Sequence, residues 1–521
     1  MNAPHDGRKG GTPSREAPRD NVSLRAADRD VLWHPFTQMQ GWQTEDFPVI
    51  REAEGCELVD ADGVRYIDGV SSLWCALHGH RVPEIDAAVR QQLDKVAHST
   101  LLGLGGEPSI ELAERLLQWA PGDLTRVFYS DSGSTAVEVA LKMAFQFWRQ
   151  TEGEDTRRTR FLCLDDAYHG DTIGSVSVGG IDLFHSVFQP LLFHTQRAPV
   201  PRGASAAQRE ADMPRCLAAL DALLADAGDT FAAVVIEPGV QGAAGIRVYP
   251  DGFTRAVVER CRSVGMLVVI DEVATGFGRS DELFACTRER VQPDLLCLAK
   301  GLSGGYLPLA ATLATEHIYD GFAGRYEDFR TFFHGHTFTG NALACAAGLA
   351  SLELCTAPGF LPAARALGDT LAAGLEPLAG HPHVLEIRRY GSIFGIELVA
   401  NRSGGTADGS PRDTTGGEVR GEASGEAPTW FPLERRTGHR VCLAARERGA
   451  ILRPLGDTIV LMPPLSMDAG TARRLTAIAV ESIDLITREV GRDVEGEPGR
   501  DAHAASSRPS TTHQELTEEG A

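Results

Sequence analysis

Lysine is scarce in this sequence. Only four of its 50 basic residues are lysines, at positions 9, 95, 142 and 300, and arginine supplies the rest. Arginine carries positive charge but does not lose its proton in proteins, whereas a buried lysine does. Each lysine is therefore a candidate for chemistry that needs a free amine.

Metal-binding and redox motifs are also lacking. The ten cysteines are scattered and no two have a C-x-x-C spacing, which argues against a zinc site or a dithiol pair. His78–His80 and His334–His336 each give a His-x-His pair, but neither has the helical i, i+4 spacing or a clear carboxylate partner. We expect no metal site.

The charge and the apolar runs exclude other classes. The net charge is −21, which disfavours nucleic acid or an anionic membrane as a partner. Apolar runs such as 264–270 are far shorter than the about 20 residues of a membrane helix, and the N-terminus lacks the apolar core of a secretion signal. We expect a cytoplasmic protein without a membrane segment.

Three segments look unable to fold by themselves. Residues 1–28, 401–429 and 491–521 are polar and rich in glycine, proline or serine. Such segments bury too little apolar surface to offset the entropy of ordering. We predict a disordered leader, a flexible surface insertion and a disordered tail.

The remaining chain, within a total of 521 residues, predicts an α/β protein of more than one domain. Short apolar runs alternate with helical patterns, which is typical of a mainly parallel sheet covered by helices on both faces. The predicted strands are 127–130, 160–164, 232–237, 267–271 and 295–299. We place a large domain at 80–345 and a smaller α/β domain in segments 29–79 and 346–490, with hairpin strands at 49–70.

Lys300 differs from the other lysines because it directly follows an apolar strand and precedes Gly301. In an open α/β sheet, ligands bind beyond the carboxyl ends of the strands. A lysine held there against apolar packing can lose its proton and attack a carbonyl carbon. The alternative is a surface lysine at a strand end.

Two further positions have the same kind of placement. Asp271 ends an apolar strand and should lie at the same sheet edge as Lys300, where a carboxylate can hold a protonated pyridine nitrogen. A metal ligand or a helix N-cap are the alternatives. Arg279 ends the glycine-rich loop that follows, and Tyr168 follows another strand, where it can stack on a planar ring or simply pack.

The segment Ser130–Ser134 joins a strand to a helix with small hydroxyl residues and a glycine. Free amides and the positive end of the helix dipole make such a start a phosphate cradle, although an ordinary N-cap has the same residues. The sequence lacks G-x-x-x-x-G-K-[ST] and G-x-G-x-x-G at this point, so neither a P-loop nor a dinucleotide-binding motif fits.

Together these residues resemble the class III, fold-type-I pyridoxal-phosphate aminotransferases, over roughly residues 31–490 without the insertion. The motifs that carry the resemblance are Trp33–Thr37, Asp68–Gly69, Ser71–Trp74, Asp131–Ser134, Tyr168–Thr172, Glu237–Pro238, Val240–Gly242, Asp271–Glu272, Thr275–Arg279, Lys300–Gly301, Gly335–Phe338, Gly340–Asn341 and Arg453–Pro454. The resemblance implies a fold-type-I transferase that works as a homodimer with shared active sites.

The resemblance also implies roles for the residues that hold the cofactor. Lys300 resembles the lysine that binds pyridoxal phosphate covalently and then shuttles a proton, and Asp271 resembles the partner of its ring nitrogen. Tyr168 would lie against the ring. Gly133 and Ser134 would bind the phosphate.

From the other subunit, Thr337 would reach the phosphate, and His336 would lie beside the cofactor. The residues assigned to substrate on the same basis are Phe36, Trp74, Tyr168, Arg279, Gly335 and Arg453. Arg453 resembles the arginine that takes the carboxylate of a long oxo acid, for which its fork of N–H groups is suited.

Within the family, the Trp33–Phe36 and Ser71–Trp74 motifs resemble a branch that transfers an amino group to 8-amino-7-oxononanoate in biotin synthesis. Phe36 and His336 depart from the better-known members of that branch, which have tyrosine and proline there. Both departures resemble members that take the amino group from lysine instead of S-adenosylmethionine, so the donor stays open between the two.

The sequence gives less support to three other functions. One is another class III aminotransferase that acts on ω-amino acids with pyruvate, and the second is a catalytically idle cofactor-binding or scaffold protein. An NAD-dependent reductase lacks its dinucleotide motif.

Overall fold

The computed structural model describes residues 18–402 and 428–495, with side chains up to 490. The strands are β1 (Ile50–Glu54), β2 (Glu57–Asp60), β3 (Arg65–Asp68), β4 (Leu124–Ser130), β5 (Arg160–Leu164), β6 (Gln196–Ala198), β7 (Phe231–Ile236), β8 (Val240–Gln241), β9 (Arg247–Val248), β10 (Leu267–Asp271), β11 (Leu295–Leu298), β12 (Ala310–Thr315), β13 (Val384–Tyr390), β14 (Ile393–Leu398), β15 (Ala450–Ile451), β16 (Arg453–Leu455) and β17 (Thr458–Leu461).

The helices lie between and around these strands. They are α1 (Asn21–Val31), α2 (Met39–Trp42), α3 (Ser71–Trp74), α4 (Pro83–Leu93), α5 (Glu107–Trp119), α6 (Gly133–Thr151), α7 (Ile173–Ser177), α8 (Asp182–His185), α9 (Ala206–Ala227), α10 (Phe253–Ser263), α11 (Ala285–Arg288), α12 (Glu316–Asp320), α13 (Ala342–Thr356), α14 (Phe360–Leu375), α15 (Thr437–Glu447) and α16 (Ala469–Glu495). A 3-10 turn covers Lys300–Ser303.

The predicted mainly parallel sheet is confirmed. Within the described residues it has seven strands in the order β4-β12-β11-β10-β7-β5-β6, and β12 alone runs opposite to the other six. Strand β12 is not among the predicted strands, because its alanines and threonines give a weak apolar signal. This strand separates β4 from the parallel strands, yet the carboxyl ends of β10 and β11 still lie side by side.

Both faces of the central sheet are covered. Every residue of β7 and of β10 is buried, and alternate residues belong to two separate apolar clusters, with Val234 and Val268 in one and Val235 and Val269 in the other. Because successive side chains of a strand point to opposite faces, an unbroken apolar run fits a strand that is packed on both sides.

There are two smaller four-stranded sheets within the described residues, and one of them joins the two ends of the chain. The order β1-β2-β3-β15 shows that the N-terminal strands pair with a C-terminal strand, through Ala450 opposite Ile67. The other sheet has the order β13-β14-β17-β16 and is antiparallel throughout. The strands of the 49–70 segment therefore pair with the C-terminal part of the chain.

The predicted disordered leader is wrong in its last part, because helix α1 begins at Asn21. Asp20 caps the helix by accepting a hydrogen bond from the Ser23 amide. The Asn21 side chain donates to the carboxylates of Asp60 and Asp62, at 2.9 Å in both cases. A polar sequence is ordered here by buried hydrogen bonds instead of by apolar burial.

Most of the predicted insertion and tail lies outside the described residues. The structure does not describe residues 1–17, 403–427 and 496–521. Asn401 and Thr429, at the two ends of the insertion, pair in an antiparallel bridge. Helix α16 continues to Glu495, past the boundary predicted at 490.

In the described residues no single helix is long and apolar enough to cross a membrane. One helix pair, Ala342–Thr356 and Phe360–Leu378, would be long and apolar enough for a membrane span when taken together, but the two helices are bent by 75° relative to each other.

Candidate active site

The carboxyl edge of the central sheet carries a cavity of about 430 Å³. Asp271 ends β10 and lies opposite Cys297 of β11, which leads within three residues to Lys300. The predicted site residues that line the cavity are Trp74, Gly133, Ser134, Tyr168, Asp271 and Lys300. Segments that are far apart in the sequence are thus brought together at one edge, as the strand order requires.

Lys300 is the amine of the cavity. Its φ of 45° lies in the left-handed region, which is uncommon for residues other than glycine, and its Nζ is 4.7 Å from the centre of the Trp74 ring. Burial lowers the pKa of Lys300, while the Asp271 and Glu237 carboxylates act in the opposite direction. Burial thus favours the neutral, nucleophilic form of this amine.

Asp271 is fixed by two donors. His169 Nδ1 donates to one carboxylate oxygen at 2.8 Å and the Val273 amide donates to the other at 3.0 Å. The His169 side chain is fully buried, and its Nε2 has no hydrogen-bond partner among the described residues.

Glu237 is a second buried carboxyl group at the cavity. Burial raises its pKa well above the ordinary value, and the negative charge of Asp271 raises it further. Its Oε2 has no hydrogen-bond partner among the described residues. The sheet edge therefore holds two carboxyl groups in different environments, one held by donors and one driven towards its neutral form.

The start of helix α6 forms one wall of the cavity. Ser132 caps the helix by accepting from the Thr135 amide, and the Thr135 hydroxyl accepts from the Ser132 amide. The first amides of a helix have no acceptor within it and carry the positive end of its dipole. The amides of Gly133 and Ser134 are therefore available to an anion.

Two glycines allow the loops of this wall to approach one another. A β-carbon at Gly133 would lie 2.6 Å from Val273 Cγ1, and one at Gly170 would lie 2.0 Å from Ser134 Oγ. The Ser134 hydroxyl also accepts a hydrogen bond of 3.1 Å from the Asp171 amide. The loops after β4, β5 and β10 thus meet at the helix start.

Tyr168 presents its ring to the cavity and is held by its hydroxyl, which donates to Asp171 Oδ2 at 2.7 Å. Burial and this hydrogen bond raise the pKa of Tyr168, so the phenol stays protonated. Its ring is 6.4 Å from that of Phe184, which in turn is 5.7 Å from Phe36. Phe36 is mostly exposed and is not among the residues that line the cavity.

Arg279 lies away from the cavity lining, although the sequence assigns it to substrate. The side chain is fully buried, and its guanidinium donates to the Ser71 hydroxyl at 2.8 Å and to the Pro463 carbonyl. Burial lowers the pKa of Arg279 to about 10. Through Ser71 it supports the short helix that ends in Trp74.

Arg453 lies on strand β16 and is half-buried. Burial lowers the pKa of Arg453, and the Tyr168 phenol acts in the opposite direction. Arg453 is not among the described residues that line the cavity itself. Its assignment to substrate remains a prediction.

The segment that contains Gly335, His336 and Thr337 is largely exposed. In the described part of the chain, these three residues are not among those that line the cavity. The Thr337 carbonyl accepts from His98 Nε2 at 2.9 Å, and the His336 amide donates to the Thr339 hydroxyl at 2.9 Å. A role for these residues at the cavity therefore requires a second copy of the chain.

The cavity fits pyridoxal phosphate. A carboxylate fixed by two donors suits a protonated ring nitrogen, free helix amides beside Ser134 suit a phosphate, and the Lys300 amine suits the aldehyde. The unpartnered Glu237 oxygen leaves a polar atom at the same cavity. Among the described residues, no group of histidine, cysteine or acidic side chains is arranged to hold a metal ion.

His169 and Glu237 have no predicted role, although both line the cavity. His169 belongs to the motif Tyr168–Thr172, but its partner Asp271 is 102 positions away and two strands across the sheet. The signal that could have found it is strand order, because β7 alone lies between β5 and β10.

Comparisons with known proteins agree with this site. Residues 39–483 match the aminotransferase class-III family model. The chain is 54% identical over 459 residues to adenosylmethionine-8-amino-7-oxononanoate aminotransferase of Nitratidesulfovibrio vulgaris, covering 88% of this chain and 80% of that protein. The crystal structure of the enzyme of that name from Methanocaldococcus jannaschii superposes with a TM-score of 0.80 at 38% identity, covering 89% of this chain and 99% of that one.

A second similar structure is that of an enzyme with a different named activity. The omega transaminase from Pseudomonas jessenii in complex with PMP superposes with a TM-score of 0.80 at 27% identity, covering 90% of this chain and 99% of that one.

Proposed function

This chain belongs to the class III aminotransferase family, and we propose that it transfers an amino group to 8-amino-7-oxononanoate to give 7,8-diaminononanoate in biotin synthesis. It is a pyridoxal-phosphate-dependent aminotransferase of α/β fold. The observation that carries the acceptor is the Trp74 ring, 4.7 Å from the Lys300 amine in the cavity, within the motif that resembles this branch. The names of the relatives support the same acceptor.

The residues divide the work in a way that their positions support. The cofactor, when bound, supplies an electron sink for the carbon that loses its proton. Asp271 holds the ring nitrogen protonated, and the helix start at Gly133 and Ser134 binds the phosphate. Lys300 moves the proton, since burial favours its neutral form and it can act as base and then as acid.

The substrate is held farther from the sheet edge. Trp74 forms an apolar wall that excludes water from the amine, and Arg453 binds the carboxylate of the oxo acid through two parallel hydrogen bonds. Phe36 lies at the outer end of the aromatic contacts that begin at Tyr168.

The relatives are named as adenosylmethionine-dependent enzymes, and we propose S-adenosylmethionine as the donor for this chain. Lysine is the second candidate, because Phe36 removes a hydroxyl group and His336 adds a polar ring at two positions that resemble lysine-using members. Purified holoenzyme is mixed with each donor in the absence of acceptor. The true donor converts the visible absorption of the cofactor to that of pyridoxamine phosphate, and the other donor leaves it unchanged.

We also propose a homodimer that completes the site. The segment that contains Gly335, His336 and Thr337 also exposes large apolar side chains, with Phe333 exposed by 73% and Phe338 by 61%. Leu102 is exposed by 90%. Contiguous exposed apolar side chains of this size are typical of a protein interface.

One alternative has its own observation. The Pseudomonas jessenii omega transaminase superposes as well as the Methanocaldococcus jannaschii enzyme does. Steady-state assays with 8-amino-7-oxononanoate and with pyruvate separate the two functions. Turnover with pyruvate alone overturns the proposed acceptor and leaves the family intact. The cytoplasmic location expected from composition stays a prediction.

A further inference from the structure

A row of residues in register crosses the sheet formed by β13, β14, β17 and β16. Arg388 lies opposite Gly395, Gly395 opposite Val460, and Val460 opposite Arg453. Directly opposed residues on neighbouring strands share one face of a sheet. Arg388 and Arg453 therefore lie on the same face, three strand spacings or about 14 Å apart.

Arg388 binds a loop of the central part of the chain. Its Nη2 and Nε donate to the Gly245 carbonyl at 2.8 and 3.2 Å, and the side chain is buried. The Glu397 carboxylate pairs with Arg388 Nη1, and the Thr458 hydroxyl accepts a weaker bond at 3.4 Å. A buried guanidinium that holds a backbone carbonyl fixes the turn between β8 and β9.

The next residue in that turn has an unusual backbone. Ile246 has a φ of 56°, a conformation that β-branched residues rarely adopt, and it is fully buried. It packs over Gly395, where a β-carbon would lie 2.8 Å from Ile246 Cβ. Unfavourable backbone conformations persist where the surroundings determine them, and here the surroundings are Arg388 and Gly395.

Ile246 leads directly to the cavity. It belongs to the same apolar cluster as Trp74 and Val240, and a β-carbon at Gly242 would lie 3.5 Å from Trp74 Cζ3. Trp74, Val240 and Gly242 line the cavity. The Ile246 amide donates to the Gly242 carbonyl at 3.0 Å. Hydrogen bonds and close packing therefore link the Arg388 guanidinium, through the turn and Gly242, to the ring that faces Lys300.

We propose that Arg388 is a positioning residue that sets the distance between the Trp74 wall and Arg453, and so the length of the oxo acid that the site accepts. Holding the Gly245 carbonyl places Ile246, and Ile246 places Trp74. The other end of the same row carries Arg453. The proposal rests on the carboxylate-binding role proposed for Arg453.

The test uses holoenzyme of the double variant Arg388→Met with Glu397→Gln, which removes the arginine together with the charge of Glu397. The other carboxylate near Arg388, Glu386 at 3.6 Å, keeps its two hydrogen bonds of 2.8 Å from Arg209. We expect the KM for 8-amino-7-oxononanoate to rise about tenfold while kcat changes less than about threefold, since substrate placement is lost and the reacting groups are not. The visible absorption of the bound cofactor stays as in the wild type. Arg388→Lys, which retains one donor, gives an intermediate KM.

Two further variants complete the test. Arg389→Met is the matched control, because the neighbouring arginine contacts the Gly391 carbonyl and Asp369 instead of the turn, and we expect wild-type constants. Gly395→Ala pushes Ile246 from the other side without touching a charge, and we expect it to raise the same KM.

An unchanged KM in both the double variant and Gly395→Ala overturns the proposal, as does a fall in kcat and cofactor absorbance at constant KM. If the wild type accepts only pyruvate, the proposed acceptor fails. The positioning role is then tested by the same KM ratios with pyruvate, and ratios of one refute it.

Discussion

His169 donates a hydrogen bond of 2.8 Å to the Asp271 carboxylate, and both side chains are buried at the carboxyl edge of the central sheet. The two residues follow β5 and end β10, with only β7 between those strands. Because the Val273 amide occupies the other oxygen, Asp271 has its orientation set from two sides. An acid fixed in this way is suited to hold a protonated ring nitrogen without reorganising.

Replacing His169 tests this arrangement. His169→Leu removes the donor to Asp271 and leaves a buried carboxylate oxygen with less compensation. The cost is about 1–3 kcal/mol, a fall in kcat/KM of roughly 5- to 150-fold. His169→Asn, which can still donate from its amide, retains more activity. Steady-state kinetics and a spectroscopic titration with pyridoxal phosphate check this. Wild-type kcat/KM in His169→Leu contradicts it.

Replacing Lys300 removes the amine of the cavity. We expect Lys300→Ala to lose both half-reactions, because the proton transfer and the covalent attachment depend on one group. The measurement is a single-turnover experiment that follows transfer from donor to cofactor. Lys95→Ala is the control, since Lys95 is an exposed lysine paired with Glu107 at 3.8 Å. Amine transfer retained by Lys300→Ala refutes the assignment.

How much of this site the sequence predicts depends on how local each signal is. An apolar run leads directly into Asp271 and another into Lys300, and parallel strands bring such positions to one edge, where the structure has both residues. Ser134 was placed by the helix start that follows a strand. These are short-range patterns.

The rest depends on contacts between distant segments. Nothing local marks Arg388 as the partner of the Gly245 carbonyl, 143 positions away. Arg279 ends a glycine-rich loop, which suggests a site residue, and only the fold shows that its guanidinium donates to the Ser71 hydroxyl and the Pro463 carbonyl. Helix α1 was missed because its order comes from the Asn21 side chain and not from an apolar face.

Glu237 predicts a pH dependence of stability. Its folded pKa is raised well above 4.5, first by burial and then by Asp271. Above pH 4.5 the folded apoprotein therefore binds a proton that the unfolded chain has lost, and this contribution to stability declines as pH rises towards the folded pKa. The decline is at most about 1.4 kcal/mol per pH unit.

The substitution Glu237→Gln keeps the shape of the side chain and removes its titratable carboxyl group. We expect the Tm of the Glu237→Gln apoprotein to fall less than that of the wild type as the pH rises above the ordinary glutamate pKa of 4.5. Glu259→Gln is the control, because its side chain is 69% exposed. Parallel curves for wild type and Glu237→Gln contradict this account.

If the proposed dimer forms, a substitution in its interface should weaken assembly without altering any residue that lines the cavity. Phe333→Asp places a charge where an apolar side chain is 73% exposed, and burying that charge in an interface is costly. We expect a shift to monomer in analytical ultracentrifugation and a loss of activity that high protein concentration partly restores. Leu433→Asp, at a residue 77% exposed on the C-terminal part, leaves mass and activity unchanged. A dimer unaffected by Phe333→Asp places the interface elsewhere.

Arg453 predicts a change in substrate binding with little change in chemistry. A guanidinium that binds a carboxylate through two hydrogen bonds contributes about 1.5–3 kcal/mol, so Arg453→Met raises the KM for the oxo acid roughly 10- to 100-fold. Arg453→Lys recovers part of this as a point charge. Arg474→Met is the matched control, since that side chain is 65% exposed and lies 4.0 Å from Glu57. The methyl ester of the oxo acid separates the causes: it should bind the wild type as weakly as it binds Arg453→Met, because it lacks the charge that Arg453 recognises. A wild-type enzyme that binds acid and ester equally well leaves Arg453 without a role in carboxylate binding.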